Sequence, residues 1–260
     1  MDFDSRIVIF VGAFGSGKTE IAINYVRSAV KQWARVAIVD LDIVTPYFRS
    51  RDVAEKLVAE GIEVVVPPGE LLLADLPIIV PRVKGALSEP DLHVVVDVGG
   101  DDIGATVLGQ FNEQLELLPH ELLFVVNTCR PFTNNVAGIK RELRSIERAS
   151  HLKVTGLVAN PNLASETTVD IIADGLSIVD AAATETGIPV VGVGVREDLV
   201  PSVGTLSAPI FAVNIMLLLP WHRGSIATRD RRSFMTARLA QPIVRAGRNS
   251  KEGKKWPVEK

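Results

Sequence analysis

Gly12-Ala13-Phe14-Gly15-Ser16-Gly17-Lys18-Thr19 joins a short β-branched run, Ile7–Val11, to a segment that opens helically with Glu20-Ile21-Ala22-Ile23. A glycine-rich loop between a buried strand and a helix N-terminus aims backbone N–H groups and the helix dipole at phosphate. Gly12, Gly15 and Gly17 let the backbone wrap without Cβ clashes. Lys18 is expected to reach the β- and γ-phosphate oxygens and the Thr19 hydroxyl to ligate Mg²⁺. Ala13, Phe14, Ser16 and Glu20 complete the stretch expected to contact the nucleotide.

Short apolar runs on either side extend the pattern. Arg6–Val11, Arg35–Asp40, Ile62–Val66, His93–Asp97, Glu121–Asn127, Lys153–Ala159 and Pro189–Val193 each fit a strand buried on both faces. Helix-length segments lie between most of them: Lys18–Gln32, Ser50–Glu60, Ala105–Leu117, Asn134–Arg148 and Thr168–Thr186. Repeated βα units predict an α/β fold of the three-layer P-loop NTPase kind, a mostly parallel sheet of about seven strands with helices on both faces. Pro67–Pro90 gives no clear pattern. A short polar stretch, Arg196–Asp198, and a closing helix from about Ser207 to Leu219 are expected to complete a nucleotide-binding domain over 1–220, leaving 221–260 as a partly disordered tail.

Acidic residues stand at two strand ends, the edge where open α/β sheets bind ligands. Asp97, in Val94-Val95-Val96-Asp97-Val98-Gly99-Gly100, has the form of a Walker B acid that orients Mg²⁺, and the two glycines free a backbone N–H at Gly100 to sense the γ-phosphate. Asp40 is expected to complete the metal shell and Asp42 to position or deprotonate the attacking water. Thr45 lies in the same loop. His93, His120, His151 and His222 show no metal-ligand spacing, and Cys129 reads as a small packed residue.

Composition bounds the rest. A single cysteine excludes an internal disulfide and a multi-cysteine metal cage, and it fits a reducing, cytoplasmic setting. The opening residues before Ile7 carry no basic run, so no export signal is expected, and Ile210–Leu219 is too short to span a bilayer. Residues 221–260 hold eleven Lys/Arg against three Asp/Glu, although the whole chain is at −3. Met235, Leu239 and Ile243 recur there at helical spacing among arginines, which would suit a contact with anionic lipid or nucleic acid, but Pro242 breaks that helix.

The phosphate loop, Val39-Asp40-Leu41-Asp42, Asp97-Val98-Gly99-Gly100 and Val158-Ala159-Asn160 together resemble the MinD/ParA/CobQ-like P-loop ATPases of the SIMIBI class, over roughly residues 5–219. The resemblance implies that Asp42 supports water attack, that Asn160 contacts adenine, and that Gly187–Val193 forms the last strand beside the base. It also implies a nucleotide-dependent homodimer. Ala13 occupies the place of the family's signature lysine, so activation by that lysine across a dimer is not expected, and an arginine such as Arg49 or Arg51 could substitute from the partner. The Gly-Ser-Gly-Lys-Thr ending looks nearer to the related metallochaperone GTPases.

Neither Asn127-Thr128-Cys129-Arg130 nor Asn160-Pro161-Asn162-Leu163 has the Asn-Lys-x-Asp form that reads guanine, so ATP with Mg²⁺ is the expected cofactor. The leading expectation is an ATP-hydrolysing switch for a protein partner. The alternatives are a ligase or kinase acting on a small acceptor, with Arg82 and Lys84 as candidate acceptor contacts, and a GTPase metallochaperone.

Overall fold

The computed structural model describes residues 1, 3–42, 53–65, 76–100 and 102–217. Contacts divide the chain into Met1–Leu218 and Leu219–Lys260, and the described residues belong to the first unit. Thr45, Arg49, Arg51 and the basic tail lie outside the described residues.

Elements follow in the order β1 (Ile7–Val11), α1 (Lys18–Ala29), β2 (Val36–Leu41), α2 (Ala54–Ala59), β3 (Glu63–Val65), α3 (Leu76–Ser88), β4 (His93–Val98), α4 (Asp102–Gly109), α5 (Asn112–Leu115), β5 (His120–Val126), α6 (Val136–Ser150), β6 (Gly156–Ala159), α7 (Val169–Thr186), β7 (Val190–Arg196) and β8 (Ile210–Val213). Among the described residues, eight strands form one sheet in the order β3-β2-β4-β1-β5-β6-β7-β8. Every pairing is parallel.

The central strand feeds two cores. Ile7, Ile9 and Val11 join one buried cluster with Leu87, Leu108, Phe111, Ile139 and Leu176, while Val8 and Phe10 join another with Ile21, Ile23, Val26 and Leu57. Alternate side chains of a strand point to opposite faces, so a sheet covered on both sides must be apolar at every position. The fully buried β1 satisfies that condition throughout, and β2 and β4 do so except at Asp40, His93 and Asp97, which is why their sequences read as nearly unbroken apolar runs.

The expected boundaries shift in several places. The closing helix over Ser207–Leu219 is instead the strand β8, so the sheet has eight strands rather than about seven. Its pairing is Val193↔Ile210 through Arg196↔Val213. Phe211 and Val213 are buried while Ala212 is exposed, a period of two rather than 3.6. Pro209 opens the strand, and its carbonyl accepts from Val193 N at 2.9 Å. The helix expected over Ala105–Leu117 is two, α4 and α5, parted after Gly109, and Lys153–Ala159 is strand only from Gly156. Within the unassigned Pro67–Pro90 stretch, Leu76–Ser88 forms α3. Residues 197–202 form a 3₁₀ turn. No helix among the described residues is long and apolar enough to cross a membrane.

His93 opens β4 at the sheet edge remote from the glycine-rich loop. Its ring stacks on Trp33 at 4.6 Å and tilts against Tyr25 at 5.9 Å. Neither ring nitrogen has a hydrogen-bond partner. Burial first, and the charge of Arg6 second, lower its pKa to about 4. The unfolded chain protonates this residue near its ordinary value while the fold keeps it neutral, so the stability it permits is present above about pH 6.5 and is lost as pH falls toward about 4. We predict that His93→Phe gains on the wild type through that window by up to about 3 kcal/mol, a gap measured by urea unfolding across pH.

Candidate active site

Residues 12–17 turn between the end of β1 and the start of α1. Ser16 N donates to Ala13 O at 3.1 Å, and Ile21 N donates to Gly17 O at 3.0 Å to start the helix. Gly15 and Gly17 have left-handed φ of 74° and 83°, a region that costs a residue with a Cβ about 1 kcal/mol or more. A Cβ on Gly12 would stand 2.6 Å from Val125 O. Lys18 and Thr19, in the first turn of α1, are buried.

Neighbouring strands brace this loop by its carbonyls, which leaves its amides for other work. Asn160, just past β6, donates from Nδ2 to Ser16 O at 2.7 Å. Asn127, just past β5, donates to Gly15 O at 3.3 Å and to Asn162 O at 2.9 Å. Its Oδ1 accepts from Cys129 N and Asn162 N, each at 3.0 Å. Arg130 Nε adds a third contact, to Gly15 O at 3.0 Å. The Asn160 amide therefore packs against the loop, and a Cβ on Gly17 would lie 2.4 Å from its Nδ2.

Three carboxylates meet the loop from its other flank. Registers pair Asp40 with Asp97 across β2 and β4, and Asp97 with Phe10 across β4 and β1. Asp40, Asp42 and Asp97 are all buried. Asp42 N donates to Asp40 Oδ1 at 2.9 Å, which fixes the turn that carries Asp42. A Cβ on Gly99 would lie 3.4 Å from Asp42 Oδ1, and one on Gly100 would lie 3.0 Å from both Lys18 Nζ and Phe14 Cα. The absent side chain at Gly100 thus lets the end of β4 close against the phosphate-loop backbone.

Asp97 is the electrostatic centre of the group. Among the described residues neither of its oxygens has a hydrogen-bond partner of standard geometry, and the Ser16 hydroxyl is likewise buried without one. Burial pushes the Asp97 carboxyl up to about 8; Lys18 and the nearby Thr19 hydroxyl pull it down, and Asp40 and Asp42 push it up. A buried, orphaned carboxylate beside a threonine hydroxyl is a donor set that suits Mg²⁺, which binds through one or two protein oxygens plus phosphates and water. Among the described residues no three of His, Cys, Asp or Glu gather into a cage of their own. That also fits a cation whose ligands come largely from the nucleotide.

Other expected residues are used differently. The Glu20 carboxylate accepts from Met216 N and from Leu217 N at 3.2 Å. It ties α1 to the segment after β8. Burial raises its pKa and those N–H groups lower it. Burial also raises the Cys129 thiol, against the opposing effects of the Asn162 N–H and Arg130, which disfavours a nucleophilic thiolate. Arg82 and Lys84 are exposed on α3. Asn127 and Arg130 were not singled out in the sequence. A strand followed at once by Asn was the available sign, since that residue type bridges loops by both donating and accepting.

A cleft of about 550 Å³ opens at the same sheet edge, lined by Arg196, Glu197, Asp198, Val213, Asn214 and Ile215. Arg196 holds Asp198 by two hydrogen bonds, of 2.5 and 2.9 Å, and donates to Ala164 O at 2.6 Å.

No protein-family model matches the chain. It is similar to the signal recognition particle 54 kDa protein of Methanopyrus kandleri, 27% identical over 200 residues that make up 75% of this chain and 40% of that protein. Among solved structures it resembles FtsY of Mycoplasma mycoides, with a TM-score of 0.53 and 19% identity over 74% of this chain and 60% of that one. FtsY of Thermotoga maritima gives 0.51 and 20% over 76% and 67%. The receptor FtsY of Elizabethkingia anophelis in complex with GDP gives 0.50 and 17% over 75% and 58%. This chain thus spans 40% of the curated relative's length. The fold is that of the P-loop NTPases, shared with these proteins, and the narrower MinD/ParA assignment has no support in the similarities.

The folded Asp97 carboxyl binds its proton more tightly than the unfolded one, so its contribution is full at low pH and is lost as pH rises from about 4 to about 8. In nucleotide-free protein Asp97→Asn should gain on the wild type across that window, reaching about 2 kcal/mol or more at pH 8 in chemical unfolding. The same variant should lose Mg²⁺-dependent nucleotide binding by about tenfold or more. Equal pH profiles for the two proteins would contradict the assignment.

Proposed function

We propose that this chain binds a purine nucleoside triphosphate with Mg²⁺ and hydrolyses its γ-phosphate, using the change to alter its grip on a protein partner. The observation that carries the reading is the convergence of buried Asp40, Asp42 and Asp97 on buried Lys18 and Thr19 beside a loop whose Gly15 and Ser16 carbonyls are held by Asn127, Arg130 and Asn160. That arrangement is a phosphate cradle on one flank and an acid cluster on the other.

In the proposed mechanism the N–H groups of residues 12–19 and the Lys18 ammonium hold the β- and γ-phosphates. Thr19, Asp40 and Asp97 would hold Mg²⁺, which when bound would neutralise the charge on the phosphate oxygens. Asp42, held by the Asp40-capped turn, orients the attacking water. Gly100, packed against Phe14 and Lys18, would feel the γ-phosphate leave and pass the change along β4 into α4.

Two purines have support. The absence of an Asn-Lys-x-Asp sequence favours ATP. Similarity to a signal recognition particle protein and to FtsY, one example of which was solved with GDP, favours GTP, so the expectation of ATP alone is widened to both. Those relatives also make a protein partner a better reading than a small acceptor.

Phosphate release from GTP and from ATP with Mg²⁺ tests the proposal. Lys18→Ala should weaken nucleotide binding by about 100-fold, because it removes a buried charge that faces phosphate. Asp42→Asn should leave the nucleotide Kd within about threefold and lower kcat about 100-fold. A wild type that binds nucleotide but never releases phosphate, with or without protein extract, would rule out the hydrolytic switch.

A further inference from the structure

The strand order assigns the two ends of a bound nucleotide to opposite sides of β1. Asp40, Asp42 and Asp97 belong to β2 and β4 and their ends, on one side; Asn127, Arg130 and Asn160 follow β5 and β6, on the other. A triphosphate whose γ-end faces the acids must run its nucleoside toward the β5–β6 side.

Arg130 stands on that side. Its Nε is anchored on Gly15 O at 3.0 Å, and its guanidinium carbon would be 3.4 Å from a Cβ on Gly15. The residue is exposed, and among the described residues neither terminal nitrogen has a hydrogen-bond or ion-pair partner. The asparagines that would otherwise read a base edge are already committed. Asn127 uses both its amide nitrogen and its oxygen on Gly15, Cys129 and Asn162. Asn160 gives its nitrogen to Ser16, and its oxygen lies against Gly194. What this side offers a base is a flat, anchored cation. A guanidinium over a π-face attracts any purine, whatever its edge.

We infer that Arg130 is a nucleoside clamp that stacks on the purine without reading its edge, so that adenine and guanine nucleotides bind alike. This deepens the nucleotide reading above and rests on it.

The test is calorimetric binding of Mg-ATP, Mg-GTP and Mg-tripolyphosphate to the full chain, for the wild type and for Arg130→Ala. The wild type should hold ATP and GTP within about threefold of each other, and the variant should weaken both by about tenfold more than it weakens tripolyphosphate, whose own loss reports the contact to Gly15 O. Parallel weakening of tripolyphosphate would show that Arg130 serves the loop or the phosphates, and would overturn the clamp. So would loss confined to one base, a wild-type preference of about 100-fold, or no change with either nucleotide. Failure of the wild type to bind any of the three would sink the nucleotide reading, and the clamp with it.

Discussion

Lys18 sits buried beside Asp97, with Asp40 and Asp42 close by, and this charge balance governs the top of the sheet. An isolated carboxylate costs several kcal/mol to bury, and three acids near one another cost more. Lys18 offsets part of that, and protonation of Asp97 accounts for another part. The unfilled remainder is what a cation and a polyphosphate would complete. The nucleotide-free fold is therefore held in a state whose electrostatics call for the ligand, a common condition of sites where stability is given up for binding.

The rest of the fold positions that group. Parallel pairing in register brings Asp40, Asp97 and Phe10 into one row across three strands, so the acids and the phosphate loop share one sheet edge. Glycines at 99 and 100 allow the turn after β4 to approach Asp42, Phe14 and Lys18 more closely than any larger residue would. On the far flank, Asn127, Asn160 and Arg130 engage loop carbonyls and so set the direction in which the loop amides point. The proposed phosphate site would thus draw on both halves of the sheet, and its two flanks have different chemistry: carboxylates on one, amides and a guanidinium on the other.

How much of this was legible follows from the range of each interaction. The strand–loop–helix at 7–29 is local, and glycine spacing alone predicts it. The acids at strand ends were legible for the same reason. Strand β8 was not, because a short apolar run after Pro209 fits a buried strand or a buried helix equally well, and only its pairing with β7 decides. The contact of the Asn160 amide with Ser16 O was not legible either, because it is made across 144 residues. The tie from Glu20 to Met216 and Leu217 is of the same long-range kind. Arg130 carries no local signal, because its anchor is a backbone carbonyl 115 residues away.

The central claim is that one sheet edge forms a single phosphate and metal site. Hydrogen–deuterium exchange with and without a non-hydrolysable triphosphate and Mg²⁺ tests it most directly. The account predicts slowed exchange at the amides of residues 12–19 and at Val98–Gly100, dependent on Mg²⁺, with the amino-terminal sheet edge around His93 unchanged. Protection that spares residues 12–19, or that is the same without Mg²⁺, would contradict it.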